Sequence, residues 1–386
     1  MMGMSAQTDW YSSPPPSPFN MGELWPAGEE SMEESTNTAL ERGTDSTPSQ
    51  IIDSARKVEE EYSRASLFSS SDVGKKYFNF ACNCNALENL HCFEGNPVVK
   101  VAFLSKSILC IGEKSGNVKF LDLEDRKLSS KAYKVHNDPI IKLVPYRERD
   151  LFTASEFRVD ALDCNNGTIS TLFTLDKGGS ITCMTLAKDI LFVGCSIEAI
   201  LFYDLTEGQP FDFFNFNRES KASITSLSAY EGVLVSSAVS ASPTLKLWDV
   251  RTRKTLSEIP SEGLGQIVET GFDEKILAAS YKSGWVVAWD RRNLTTPLFS
   301  KDHARGANIS NIKIIGSTLT YSGRDAFYIY DLTEAEAAMA PVIWMPCQCC
   351  AHDITSIAIR DDRMAYVDNE RIYISDEFSS LSKQEH

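Results

Sequence analysis

Trp248-Asp249-Val250-Arg251 returns 41 residues later as Trp289-Asp290-Arg291-Arg292. The same beat runs outward in both directions. Upstream stand Leu121-Asp122, Leu162-Asp163 and Tyr203-Asp204; downstream stand Tyr330-Asp331 and Ser375-Asp376. From first to last the aspartates step by 41, 41, 45, 41, 41 and 45 residues. A repeat of that length reads as a closed array of four-stranded blades.

Two further markers keep phase with the aspartates. One is a short apolar–polar motif expected on the innermost strand: Ile181 to Met184, Ile224 to Leu227, Ile309 to Ile312 and Ile354 to Ile357. The other is a leucine followed three residues later by a small residue, at Leu109/Gly112, Leu151/Ala154, Leu191/Gly194, Leu234/Ser237, Leu277/Ser280 and Leu319/Ser322. Met364/Val367 departs from the small-residue rule. Small side chains suit blades that crowd together near an axis. Each leucine lies 12 to 15 residues before its aspartate, room for a strand, a tight turn and a second strand. The expected fold is all-β, a seven-bladed β-propeller over residues 76–380. The last set of strands leaves no room for an outer strand after it. Residues 77–94 are expected to supply that strand and so remove an open sheet edge.

These markers resemble the WD40-repeat family, from about residue 80 to the C-terminus. Only Trp248-Asp249 and Trp289-Asp290 show the literal dipeptide; elsewhere Leu, Tyr or Ser replaces Trp. The family's Gly-His survives in part as His136, His303 and His352, and its turn acid near Asp325. The resemblance therefore implies a fold held by packing, with an incomplete Asp–His–Ser/Thr–Trp network. It also implies a scaffold that holds partners and performs no catalysis.

Residues 1–75 read differently. The formal charge of −15 is uneven: residues 1–72 hold thirteen acidic and four basic residues. The segment is rich in Ser, Pro and Glu and too poor in apolar surface to offset the entropy of ordering, so a largely disordered acidic tail is expected. Within it, Thr47-Pro48-Ser49-Gln50 fits a capping box. Ile51, Ala55, Val58, Tyr62 and Ala65 then share one helical face. One short helix over about 48–66 is expected to lie on the propeller or a partner. Residues 381–386 are expected to be a disordered end.

Composition narrows the function classes. No Lys/Arg cluster suits nucleic-acid phosphates; Arg251 to Lys254 is too short. No run approaches the roughly 18 apolar residues of a membrane helix, and no signal peptide is apparent. Cys110, Cys183 and Cys195 sit in apolar runs, as reduced thiols used as small core residues would. The expected setting is cytoplasmic or nuclear. No Gly-rich phosphate loop, His-Glu-x-x-His or Gly-x-Ser-x-Gly is present, so neither an enzyme nor a cofactor is expected.

Three constellations remain. Within the WD40 family the paired Trp-Asp-x-Arg resembles the motif of substrate receptors of the cullin-4 ubiquitin ligase, in which the arginine helps to contact the adaptor protein. By resemblance Arg251 and Arg292 are the matching positions; the alternative is that each arginine ties down its own loop. The runner-up function is a non-catalytic scaffold subunit of a regulatory, chromatin or trafficking complex. Second, Cys82 and Cys84 with His91 and Cys92, and Cys347, Cys349 and Cys350 with His352, have the ligand types of zinc. Their spacing fits no standard module, and buried free thiols are the preferred reading. Third, Phe211, Phe213, Phe214 and Phe216 on an outer strand are either self-covered or a binding patch.

Overall fold

The computed structural model describes residues 96–375, apart from 176–178, 198, 207–208, 216–222, 241, 262, 304–308, 324–326, 333–341, 345–353, 362 and 369–370. Side chains of 209–215, 342–344, 368, 371 and 375 are also outside the description. The expected tail and helix at 48–66, the closing strand at 77–94 and the end at 381–386 thus lie outside the described residues.

Aliphatic, aromatic and β-branched runs form the strands, and those between blades are covered on both faces, as near-continuous apolar runs require. Ile276–Tyr281 is buried at every position. Seven antiparallel sheets follow one another along the chain, each made of consecutive strands. The first sheet has its outer strand in two pieces, Lys127–Leu128 and Tyr133–Lys134. The seventh has three described strands, Ile354–Arg360, Arg363–Asp368 and Arg371–Ser375.

The innermost strands are Val98–Phe103, Lys142–Tyr146, Ile181–Ala187, Ser223–Tyr230, Ile267–Phe272, Ser310–Ile315 and Ile354–Arg360. Every neighbouring pair of them is in contact, including the seventh with the first. The sheets therefore close into a ring. Third strands end where the sequence beat placed them, on Asp122, Asp163, Asp204, Asp249, Asp290 and Asp331. The seventh stops at Ser375, one residue before Asp376.

The buried apolar residues gather in the seams between blades. Val98, Val101 and Phe103 of blade one pack with Ala358, Ala365 and Val367 of blade seven. Cys183, Phe192 and Ile200 of blade three pack with Ile224, Leu234 and Trp248 of blade four. All six leucines of the Leu/small marker are fully buried. Each such side chain withdrawn from water stabilises the ring by about 1.5–3 kcal/mol.

Polar bonds lace the seams near the axis. Ser226 Oγ accepts from the Thr270 amide at 3.0 Å, and Ser356 Oγ accepts from the Val101 amide at 3.2 Å. The Glu269 carboxylate accepts from the Asn311 amide and, at 3.3 Å, from that of Ile312. Each is a side chain of one blade satisfying a backbone donor of the next, so the ring's inner wall leaves these amides paired.

Candidate interaction surfaces

In the first five blades the recurring aspartate caps the turn after the third strand. Asp249 Oδ1 accepts from the amides of Arg251 at 2.8 Å and Thr252 at 3.0 Å. Asp122 does so for Glu124 and Asp125 (2.9 and 3.2 Å), and Asp163 for Asn165 and Asn166 (2.8 and 3.3 Å). Asp204 and Asp290 hold Thr206 and Arg292, each at 2.8 Å. A short carboxylate accepting from the backbone two residues on is the physical use of Asp in a turn. The residue after the aspartate then bonds back to the turn between the first two strands. Val250 N reaches Gly232 O at 2.9 Å, and Arg291 N reaches Lys275 O at 2.7 Å. Both sets of turns thus form one face, its backbone fixed.

Arg251 and Arg292 occupy the same place in adjacent blades, two residues past the capping aspartate, and both are exposed. The backbone amide of each is held by its capping aspartate, and the charge of Arg251 also acts on Asp249. Neither guanidinium has a hydrogen bond or ion pair with another described residue. Other arginines of the same face are held. Arg147 pairs with Asp189 at 2.6 Å and Arg149 with Asp163 at 3.0 Å. Arg360 donates to Leu104 O at 2.6 Å and pairs with Glu148. Arg253 lies 5.2 Å over the Phe202 ring, and Arg291 lies 5.1 Å over Phe272. The tying-down alternative raised from the sequence thus describes Arg253 and Arg291 better than Arg251 and Arg292.

The two described histidines, His136 and His303, serve the interior. His136 Nε2 is 2.7 Å from Thr153 Oγ1, and Nδ1 is 3.0 Å from Asp160 Oδ2. Asp160 also accepts from Arg158 Nε and Thr171 Oγ1, each at 2.7 Å. Burial pushes the His136 imidazole down to about 4, and the Arg158 guanidinium adds to the shift. His303 Nε2 meets the Tyr321 hydroxyl at 2.7 Å, beside the Tyr328 ring at 4.4 Å. Burial, then Lys301, pushes its imidazole down to about 4 as well. Trp248 Nε1 donates to Ser236 Oγ at 2.9 Å. Fragments of the polar network thus survive at His136, His303 and Trp248.

Cys110, Cys183 and Cys195 are buried free thiols. Burial pushes Cys183 up to about 11 and Cys195 up to about 12, so these are poor nucleophiles at neutral pH. Among the described residues no group of three His, Cys, Asp or Glu side chains is placed to hold a metal. The metal candidates Cys82, Cys84, Cys347, Cys349 and His352 lie outside the described residues. So do the side chains at 211–216, although Gln209–Asn215 is the outer strand of blade three. An open pocket of about 370 Å³ sits at the axis ends of blades three to five, lined by Thr182, Ser223, Thr225, Gln266, Val268 and Lys282.

No family model matches the chain. No curated protein matches it either. Among solved structures it is similar to the computationally designed Ika8 protein, with a TM-score of 0.54 and 16% identity, over 72% of this chain and 96% of the other. At that identity the likeness concerns the fold alone.

Proposed function

We propose that this chain is a WD40-type interaction scaffold that acts as a substrate receptor of a cullin-4 ubiquitin ligase, docking on the adaptor protein through Arg251 and Arg292. The observation that carries the reading is the pair of exposed guanidinium groups, neither hydrogen-bonded nor ion-paired to a described residue, on two neighbouring capped turns. A propeller ring is compatible with scaffolding, but a fold does not by itself assign a function. The argument for these residues is chemical. A guanidinium presents a planar fork of donors suited to carboxylates and carbonyls. Here the backbone beneath each fork is pinned by an aspartate, so little ordering entropy is lost on docking.

Affinity capture from cell lysate tests this directly. Wild-type protein should retain the cullin-4 adaptor, and the Arg251→Ala/Arg292→Ala variant should lose it, because truncating an interface hot-spot arginine costs about 2 kcal/mol or more. Equal retention by the two proteins removes these arginines from the reading. Absence of the adaptor from both leaves the scaffold role in a complex unrelated to ubiquitin.

A further inference from the structure

Four ionisable side chains stand on the innermost strands of four blades, the strands that wall the axis: Lys100 of blade one, Lys142 of blade two, Glu269 of blade five and Lys313 of blade six. Lys100, Lys142 and Glu269 occupy the same register position, opposite Gly112, Ala154 and Ser280 of the second strands. The charge of Lys142 acts on both Lys100 and Lys313, and that of Glu269 on both as well. Blade two adjoins neither blade five nor blade six in the ring, so side chains from these blades meet only across the axis. The thiol of Cys183, from blade three, feels Lys142 and Glu269 too.

The count of partners is unbalanced. Among the described residues three ammonium groups act with one carboxylate, and that carboxylate already accepts from the amides of Asn311 and Ile312. Lys100 donates to Thr355 O at 3.2 Å. Lys142 and Lys313 have no acceptor among the described residues. An ammonium carries three donors, so most of the donors in this wall are left for solvent or a guest. The cationic excess also stands inside a protein of formal charge −15, which marks it out from the general surface.

We propose that the central channel is a binding site for a compact, multiply charged phosphate compound, held by Lys100, Lys142 and Lys313. A small anion carrying two or more charges matches the excess of cations over Glu269. Phosphate oxygens accept several hydrogen bonds from different directions, which fits ammonium point charges converging from separate blades. The free site is electrostatically costly: burial, then Lys142, holds Lys100 down to about 8, and the surrounding protein lowers Lys313 against the pull of Glu269, although the Lys313 side chain is itself open to solvent. An anion would relieve both. This inference is independent of the adaptor reading, since it concerns the axis and not the capped turns.

The test is calorimetric titration of the full chain with inorganic pyrophosphate, with inorganic phosphate and sulfate as lower-charge probes. Saturable one-to-one binding of pyrophosphate is expected at neutral pH, weakening with salt and weakest for the singly phosphorylated and sulfate probes. The Lys142→Met/Lys313→Met variant should lose affinity by about tenfold or more. Glu269→Gln, which keeps an oxygen to accept the Asn311 and Ile312 amides, should bind more tightly than wild type; a merely structural role for Glu269 would not raise affinity. Affinity should also fall as pH rises past the Lys100 value, while Lys142 and Lys313 face the same Glu269 carboxylate and the Cys183 thiol stays protonated. No binding at millimolar pyrophosphate by folded wild-type protein, or equal binding by the double-lysine variant, overturns the proposal.

Discussion

Replacing Gly194 with alanine adds one methyl group at a close approach in the seam between blades three and four. A Cβ at that position would lie 2.5 Å from Cys183 Sγ, 2.7 Å from Ile224 Cγ2 and 3.2 Å from Ile224 Cβ. The neighbours have little freedom to yield, because Cys183 is 4% exposed and Ile224 is fully buried. Overpacking of this kind costs about 1–3 kcal/mol. The lower chain entropy of unfolded alanine offsets about 0.5 kcal/mol of that. A net loss of about 0.5–2.5 kcal/mol corresponds to a fall in thermal midpoint of roughly 1–4 °C for a domain of this size. Urea and thermal unfolding, followed by circular dichroism, measure both. In a Cys183→Ala background the closest contact is gone, so the glycine substitution should cost less, with a coupling of about 0.5 kcal/mol or more. Gly232→Ala is the control: nothing lies within 4 Å of its Cβ position, and its φ of +85° makes any cost a backbone one, uncoupled from Cys183. A Gly194→Ala protein as stable as wild type, or one with the same penalty in both backgrounds, would refute the seam argument.

Two further outcomes follow from the polar chemistry. Asp163→Ala should lower the thermal midpoint more than Asp122→Ala. Both aspartates cap two amides, but Asp163 is fully buried and also takes Arg149 at 3.0 Å; equal shifts would mean that burial of the cap is irrelevant. Acid should destabilise the ring through His303, whose folded value of about 4 lies below the ordinary 6.5. Between those values the unfolded chain binds the extra proton, so the contribution is full above pH 6.5 and is lost as pH falls through about 4. His303→Gln should flatten the stability–pH profile over that window, and an unchanged slope would contradict the assignment. His136 is a poorer reporter, because its shift comes from burial and from the neighbouring Arg158 charge together.

Much of the ring was legible because its markers are local. The aspartate recurs since one turn chemistry recurs, and the buried leucine with a small residue three positions on recurs since each second strand meets a neighbouring blade. Gly194 shows why the residue must be small. The channel charges were not legible in the same way. Each of Lys100, Lys142, Glu269 and Lys313 stands alone in its blade, and only closure of the ring brings them together. A signal did exist: Lys100, Lys142 and Glu269 pair with the small member of the Leu/small marker, so that marker also points to the innermost-strand residue opposite it. The arginine pair was half legible. Sequence equivalence identified Arg251 and Arg292, whereas the difference between them and the ring-stacked Arg253 and Arg291 is a property of the folded neighbours. Likewise the sequence located His303 but not its partner, since a tyrosine, Tyr321, stands where the family's network uses Ser or Thr.

Closure also explains why such a ring can serve as a rigid platform. The seam between blades seven and one joins residues some 255 positions apart, through Ser356 to the Val101 amide and Lys100 to Thr355 O. Outside the axis, Arg360 donates to Leu104 O and Arg363 to Lys106 O, each at 2.6 Å. In an open stack, fraying the last repeat sacrifices one interface and frees a whole repeat. In a ring, opening one seam sacrifices an interface while every blade remains held by its other neighbour, so little chain entropy is gained. Detaching a blade altogether sacrifices two. The closed form therefore resists local opening at every blade, and the capped turns that carry Arg251 and Arg292 keep their spacing without a partner to impose it. The same constraint holds the channel lysines near one another despite their repulsion, since no blade can relieve it by moving alone.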